Sequence, residues 1–348
     1  MTAVHQNHSL AKAMIAGAGL ALAGAAVINA VKARSAELRH PPKGRFLTID
    51  GVRLHYREAG PIDAPAVLLL HGNGAMAEDF AISGLLESLA RRYRVVAFDR
   101  PGFGFSSRPR SVVWTPSAQA ELFAHALGAL GIRRTTVLGH SWGSMVAMAM
   151  GLEHRWLVSG LVLASGYYFP SLRAEVPLFA VPAIPLIGDV ARYTVSPPIA
   201  RAIAPRLIRR IFAPKPVPRR FAEGFPLDLA LRPSQLRASA AESALMVPAA
   251  ATLQAQYGSL EVPTTIVTGA ADGIVDPERQ SARLHSVLSH SSLIELPGVG
   301  HMVHYDGTAE LVRAIKYVAP AGKRSLPALL SLPGQESSDV VPTVPGIP

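Results

Sequence analysis

The chain has 348 residues, about half of them hydrophobic, with no cysteine and a formal net charge of +10. That is enough apolar material for one large core with an insertion; disulfides and thiolate metal sites are excluded. The charge is uneven: residues 1–45 carry +5, residues 166–258 carry +6, and the remainder is close to neutral. No aromatic-interleaved basic motif accompanies the excess, which argues against nucleic acid as a partner and favours a basic face near an anionic membrane.

Ala13–Val31 is a run of nineteen residues without a charge, between Lys12 and Lys32, in which Asn29 is the one strongly polar group. The length matches a membrane span, although eight of the nineteen are alanine and three are glycine, so the hydrophobic drive is modest. An uncleaved anchor, a secretory signal cut near Ala30, and a soluble or interfacial helix compete. The run is long for a signal, which favours the anchor, so residues 1–40 read as a transmembrane helix with a basic linker. The basic residues at 32, 34, 39, 43 and 45 place the rest of the chain on the cytoplasmic side; a signal-anchor reading places it outside.

Next, FLTIDGVRLHYRE (46–58) alternates as two strands around Asp50-Gly51, a hairpin signal. APAVLLLHGNG is a buried strand ending in glycines, residues 75–92 have helical spacing, and YRVVAFD is another strand. A helix over 116–130 leads into Thr135–Leu138, a short strand, then the sequence GHSWGS, then an apolar helix rich in small residues, then the strand VSGLVLAS. Such strand–helix alternation predicts a mostly parallel sheet with helices on both faces. The rhythm stops after Ser165. Residues 166–258 are rich in proline and arginine with helical pieces, and read as an inserted helical cap. It resumes with VPTTIVTG, a helix around Pro277–Leu288, the strand SSLIELP and a last helix over Ala309–Val318. The core thus spans 41–165 and 259–319, and the proline-containing tail 320–348 reads as disordered.

The chemistry sits at strand ends. Ser141 lies between Gly139 and Gly143, the G-x-S-x-G arrangement in which a sharp strand-to-helix turn exposes a hydroxyl. A hydroxyl nucleophile needs a base, and the base an orienting acid. AADGIVD, after one strand, offers Asp272 and Asp276; GVGHMVHYD, after the next, offers His301 and His304. HGNG (His71–Gly74), after an early strand, supplies glycines that let backbone N–H groups approach a developing O⁻.

Four separated motifs in this order, with DRPGFGFSSRP (Asp99–Pro109) among them, resemble the α/β-hydrolase superfamily from about Arg45 to Val318. The resemblance implies Ser141 as nucleophile, His301 as base and Asp272 as acid, with Asn73 and Trp142 supplying the oxyanion hole. It implies no metal or organic cofactor. The loop ASGYYFPSL holds no carboxylate, so the acid falls to the later loop, where Asp276 beside Pro277 suits a helix N-cap and Asp272 is left for catalysis. Epoxide hydrolases and haloalkane dehalogenases share DRPGFG-like turns but place Asp at the elbow, and Ser141 argues against both. GHSWGS is also similar to the GGSWGS of proline iminopeptidases, with His140 in place of a glycine. Tyr167, Tyr168, Phe169 and Phe179 either line a pocket for an apolar acyl or alcohol group or fill the cap core.

The expected protein is a membrane-associated serine hydrolase acting on a small-molecule ester, less readily an amide. A peptidase, a cofactor-free oxidative relative with the same triad, and a non-catalytic ligand-binding protein are the rival readings. The 348-residue chain should sediment with membranes and leave them only with detergent; recovery wholly in the soluble fraction after high-speed centrifugation would count against the anchor.

Overall fold

A computed structural model describes residues 2–171 and 180–319. Phe179 and the tail 320–348 lie outside the described residues. Eight strands form one sheet in the order β1-β2-β4-β3-β5-β6-β7-β8: β1 (Arg45–Ile49), β2 (Val52–Ala59), β3 (Ala66–Leu70), β4 (Arg94–Phe98), β5 (Thr135–His140), β6 (Val158–Ala164), β7 (Thr264–Gly269) and β8 (Ser291–Leu296). The β1–β2 and β2–β4 pairs are antiparallel and all others parallel. The first pair closes through Asp50 and Gly51, both at positive φ (49° and 75°), the conformation that a tight two-residue hairpin demands.

The strands β5, β6 and β7 are buried along their whole length, which explains their unbroken apolar reading: a parallel sheet is covered on both faces. Alternate residues feed two cores. Leu68, Leu70, Val96 and Phe98 join the cluster under α4 (Pro116–Ala129) and α5 (Trp142–Glu153). Val67, Leu69, Val95 and Ala97 join the cluster under α2 (Glu78–Ile82), α3 (Leu85–Ala90) and the last helix. The expected helix over 75–92 is therefore two short helices, broken where Gly84 takes φ 78°. At the other end, Thr115 caps α4 by accepting from the Ala118 N–H, with Pro116 at the first helical position.

Between β6 and β7 the chain leaves the sheet, as α6 (Ile187–Ala191), α7 (Ser196–Phe212), α8 (Arg219–Gly224), α9 (Leu227–Ala230) and α10 (Pro233–Gln254). After β7 come α11 (Arg283–Val287), α12 (Val303–Asp306) and α13 (Thr308–Val318). The last is amphipathic, with Leu311, Ala314, Ile315 and Val318 buried at helical spacing.

At the amino end the stretch after Val31 is not a linker. One helix, α1, runs unbroken from Thr2 to Arg39, and Ala13–Arg39 is long and apolar enough to cross a membrane. Its exposed residues give way to a docked face at Asn29 and Ala36, held by Glu37 to Arg232 at 2.6 Å and by Arg39 to Asp228.

The sheet and α13 meet at Gly160, where an added Cβ would lie 2.6 Å from the Val318 carbonyl oxygen. Gly160→Ala should therefore cost about 1–3 kcal/mol through overpacking, read as a lowered thermal midpoint; an unchanged midpoint would show that α13 shifts freely.

Candidate active site

β5 ends at His140 and α5 starts at Trp142, so the single residue between them must reverse the chain. Ser141 does this at φ 54°, ψ −120°, an arrangement side-chain-bearing residues rarely adopt. Its N–H is tied to the Ala164 carbonyl oxygen at 2.8 Å. Packing forces both flanking glycines: a Cβ on Gly139 would overlap the Gly143 carbonyl, and one on Gly143 would overlap the Leu70 carbonyl. The strained turn leaves the Ser141 side chain partly exposed above the strand ends.

His301 reaches this hydroxyl from the loop after β8, with Nε2 2.9 Å from Ser141 Oγ. Its other nitrogen, Nδ1, lies 2.7 Å from Asp272 Oδ2 on the loop after β7. A carboxylate only accepts, so Nδ1 carries the proton and Nε2 faces the serine as an acceptor. Asp272 is itself held by the N–H groups of Ile274 and Val275, which donate to Oδ1 at 2.8 and 2.9 Å. Asp276 faces away and accepts from the Arg279 N–H at 3.0 Å, as a helix cap does.

On the other side of Ser141 stands the HGNG loop. A Cβ on Gly72 would be 3.0 Å from the Ser141 Cβ, so any larger residue there would crowd the serine. The backbone N–H groups of Asn73 and of Trp142, the first residue of α5, have no hydrogen-bond partner among the described residues. The Asn73 side chain is fixed to α10, donating to the Ser239 carbonyl at 3.1 Å and accepting from the Ser239 hydroxyl at 2.6 Å. Such an arrangement can deprotonate a hydroxyl and hold a developing anion.

The family described as alpha/beta hydrolase fold matches residues 65–308. The chain belongs to this family. Among curated relatives, a haloalkane dehalogenase 2 of Mycobacterium tuberculosis is 27% identical over 289 residues, covering 79% of this chain and 94% of its own. Among solved structures, a bacterial membrane phospholipase A superposes with a TM-score of 0.58 at 24% identity, covering 90% of this chain and 99% of the other. An esterase from Thermogutta terrifontis gives 0.61 at 22% identity, covering 78% and 97%. Both structures share the α/β-hydrolase fold.

Several side chains have other duties than their motifs suggest. Tyr167, Tyr168 and Phe169, read from the sequence as either pocket lining or cap core, are at most 4% exposed and belong to the hydrophobic cluster that also contains Trp142. Gln280 holds their backbone by accepting from the N–H groups of Tyr168 and Phe169. Burial thus accounts for their apolar character. His304, the second histidine of that loop after β8, is fully buried, with Nε2 2.9 Å from Asp79. Asp99 does not pair with its neighbour Arg100. It braces the turn by meeting His55 at 2.7 Å and accepting from the Ala77 and Phe105 N–H groups. Burial opposes its ionisation, but the bond and charge of His55 outweigh that and hold its carboxyl below the usual range.

Arg100 instead pairs with Glu242 of α10, both fully buried, and Trp142 Nε1–H donates to the Glu242 carbonyl at 3.1 Å. Sequence reading missed Arg100, Glu242, Ser239 and Gln280. Arg100 stood in the DRPGFG motif as a hint, but its partner is 142 residues away in a segment without a motif.

His71 Nδ1–H donates to the Gly72 carbonyl at 2.8 Å, and Nε2 accepts from the Arg100 N–H at 2.9 Å. Burial, aided by the Arg100 charge, pulls its pKa down to about 3. Burial also lowers His140, whose Nε2–H donates to the His301 carbonyl at 3.0 Å. Both histidines are held neutral in the fold and titrate near 6.5 when unfolded. For His71 the unfolded chain binds more protons between about 6.5 and about 3, so its contribution to stability falls as pH drops through that window, and His140 acts in the same direction. His71 alone should cost about 2.5 kcal/mol at pH 4.5 relative to pH 7. Urea unfolding midpoints at the two pH values check this; equal or higher stability at pH 4.5 would contradict the buried neutral histidines.

Proposed function

We propose that the protein is a serine hydrolase that cleaves a carboxylic ester with an apolar acyl or alcohol group through an acyl-enzyme. The observation that carries this reading is the continuous Ser141–His301–Asp272 hydrogen-bonded chain at 2.9 and 2.7 Å. In it, His301 Nε2 takes the hydroxyl proton as Ser141 Oγ bonds to the acyl carbon, and the carbonyl π electrons move onto oxygen. The N–H groups of Asn73 and Trp142 hold that oxyanion. Collapse breaks the bond to the leaving alkoxide, which receives the proton from His301. Water, deprotonated by the same nitrogen, attacks the acyl-enzyme and releases the acid. Asp272 keeps the ring in the required tautomer and offsets the imidazolium charge.

Dehalogenation, the activity in one relative's name, needs a carboxylate at the elbow to displace halide, and Ser141 stands there instead. The names of the phospholipase and esterase neighbours agree with ester cleavage. An apolar substrate suits a chain whose helix α1 is read as a membrane anchor.

Ser141→Ala should abolish both fluorophosphonate labelling and ester turnover in a folded protein; retained labelling would remove Ser141 as nucleophile. Asp272→Asn should lower kcat by on the order of 10⁴. Asp276→Asn should leave turnover and stability almost unchanged, because asparagine also caps helices well. Collapse of turnover in Asp276→Asn with survival in Asp272→Asn would reverse the assignment.

A further inference from the structure

The one strongly polar residue of the apolar run has a defined partner. Asn29 is buried, and its Nδ2 donates to the Tyr193 carbonyl at 2.9 Å and the Thr194 carbonyl at 3.0 Å, between α6 and α7. This fastens the cap to the helix only two residues before the apolar run ends at Val31, a rise of about 3 Å. If Ala13–Val31 crosses a bilayer, residues 193 and 194 stand at the level where hydrocarbon gives way to headgroups.

Around that point, beside the Arg110–Asp189 and Arg192–Asp189 ion pairs, stands a group of exposed apolar side chains. Leu186 is 80% exposed, Ile187 65%, Val190 53%, Val195 47% and Ile199 54%. Further along α7, Ile203 and Leu207 continue the stripe at i+4 spacing. The composition then changes with distance from Asn29: the exposed residues of the second half of α7 include Arg206, Arg209 and Arg210. Apolar groups nearest the end of the span with cations beyond them is the order of a bilayer boundary, acyl chains first and anionic headgroups next.

We propose that the α6–α7 face of the cap is a second membrane contact, seated in the headgroup–acyl boundary of an anionic bilayer beside α1. The inference rests on the reading of α1 as an anchor and is independent of the reaction. The far end of this face meets the site: the His301 N–H donates to the Ile211 carbonyl at 3.1 Å, and Phe212 packs against Tyr305 with ring centroids 5.3 Å apart. An apolar ester dissolved in the bilayer would thus meet the cap at one end of α7 and Ser141 beyond the other, about 25 Å along a 17-residue helix.

Because the chain lacks cysteine, single reporters are unambiguous. Leu20→Cys, Ile187→Cys, Ile199→Cys and Val287→Cys in the 348-residue protein, each carrying an environment-sensitive fluorophore, are reconstituted into phosphatidylcholine–phosphatidylglycerol vesicles. Nitroxide-bearing lipids should quench labels at 20, 187 and 199 about twofold or more and leave the label at 287 nearly unchanged. Quenching at 20 with 187 and 199 behaving like 287 would overturn the contact and spare the anchor. No lipid quenching at any position would remove the anchor and the contact with it. Labels at 187 and 199 shielded from aqueous iodide but untouched by nitroxide lipids would assign the face to a second copy of the chain, and would likewise overturn the proposal. As a second readout, Ile187→Glu with Ile199→Glu should lower turnover of a vesicle-borne ester several-fold while a water-soluble short-chain ester is cleaved at the original rate. Equal loss on both substrates would contradict the contact.

Discussion

The backbone of Ser141 is the constraint on which the arrangement of the site depends. A residue with a side chain at φ 54° costs of order 1–3 kcal/mol, and survives only where its surroundings over-determine it. Here they do. The buried strand β5 enters, the buried helix α5 leaves, and two glycines remove the Cβ atoms that would otherwise strike the Gly143 and Leu70 carbonyls. The same turn that lifts the hydroxyl points the first N–H of α5 beside it. The proposed nucleophile and the proposed oxyanion donor are thus consequences of one local conformation.

That conformation is buttressed from the cap. Helix α10 supplies Glu242 to Arg100 and to the Trp142 indole, and Ser239 and Ser243 to the Asn73 side chain. It therefore grips the elbow and the HGNG loop together. The Arg100–Glu242 pair is fully buried, and such a pair gains little net stability because desolvating two charges offsets their attraction. Its physical effect is on register. Arg100 also donates to the carbonyls of His71 and Gly72 at 2.7 and 3.0 Å, so the ion pair fixes the loop that carries Asn73 relative to the turn that carries Ser141. Losing one partner would strand the other charge, a cost of about 3–5 kcal/mol.

The strands and the mostly parallel sheet were legible because burial on both faces leaves uninterrupted apolar runs, and because Asp50-Gly51 and GHSWG are turns with few alternatives. The geometry at Asp272 and Asp276 was legible for a similar reason: each has a local backbone job that spacing reveals. The features that could not be read depend on partners remote in sequence. Glu242 sits in an alanine-rich helix whose pattern gives no sign of a buried carboxylate. The aromatic group at 167–169 carried no information on its direction, since core and pocket call for the same side chains, and only packing on Tyr257 and Gln280 separates them. Likewise Lys32, Arg34 and Arg39 suggested a linker because charge density was visible, while the docking face made by Asn29, Ala33 and Ala36 is a stripe of small residues with little weight in composition.

The docked end of α1 ties these levels together. Small residues at 33 and 36 let the helix lie close against the cap, and Asn29, expensive in hydrocarbon if unpartnered, spends both amide protons on cap carbonyls. Arg39 and Glu37 then fasten the same helix to Asp228 and Arg232, and Arg232 donates onward to the Gly104 carbonyl in the turn that Asp99 braces. Among the described residues, ion pairs and hydrogen bonds join the apolar helix to the cap and the cap to the elbow. A change in the tilt of α1 must therefore be absorbed by α6 and α7 or passed to α10. Among the described residues α6 and α7 are the less constrained path, since they carry a row of exposed apolar side chains, whereas one face of α10 presents Ser239, Glu242 and Ser243 to Asn73, Arg100 and Trp142.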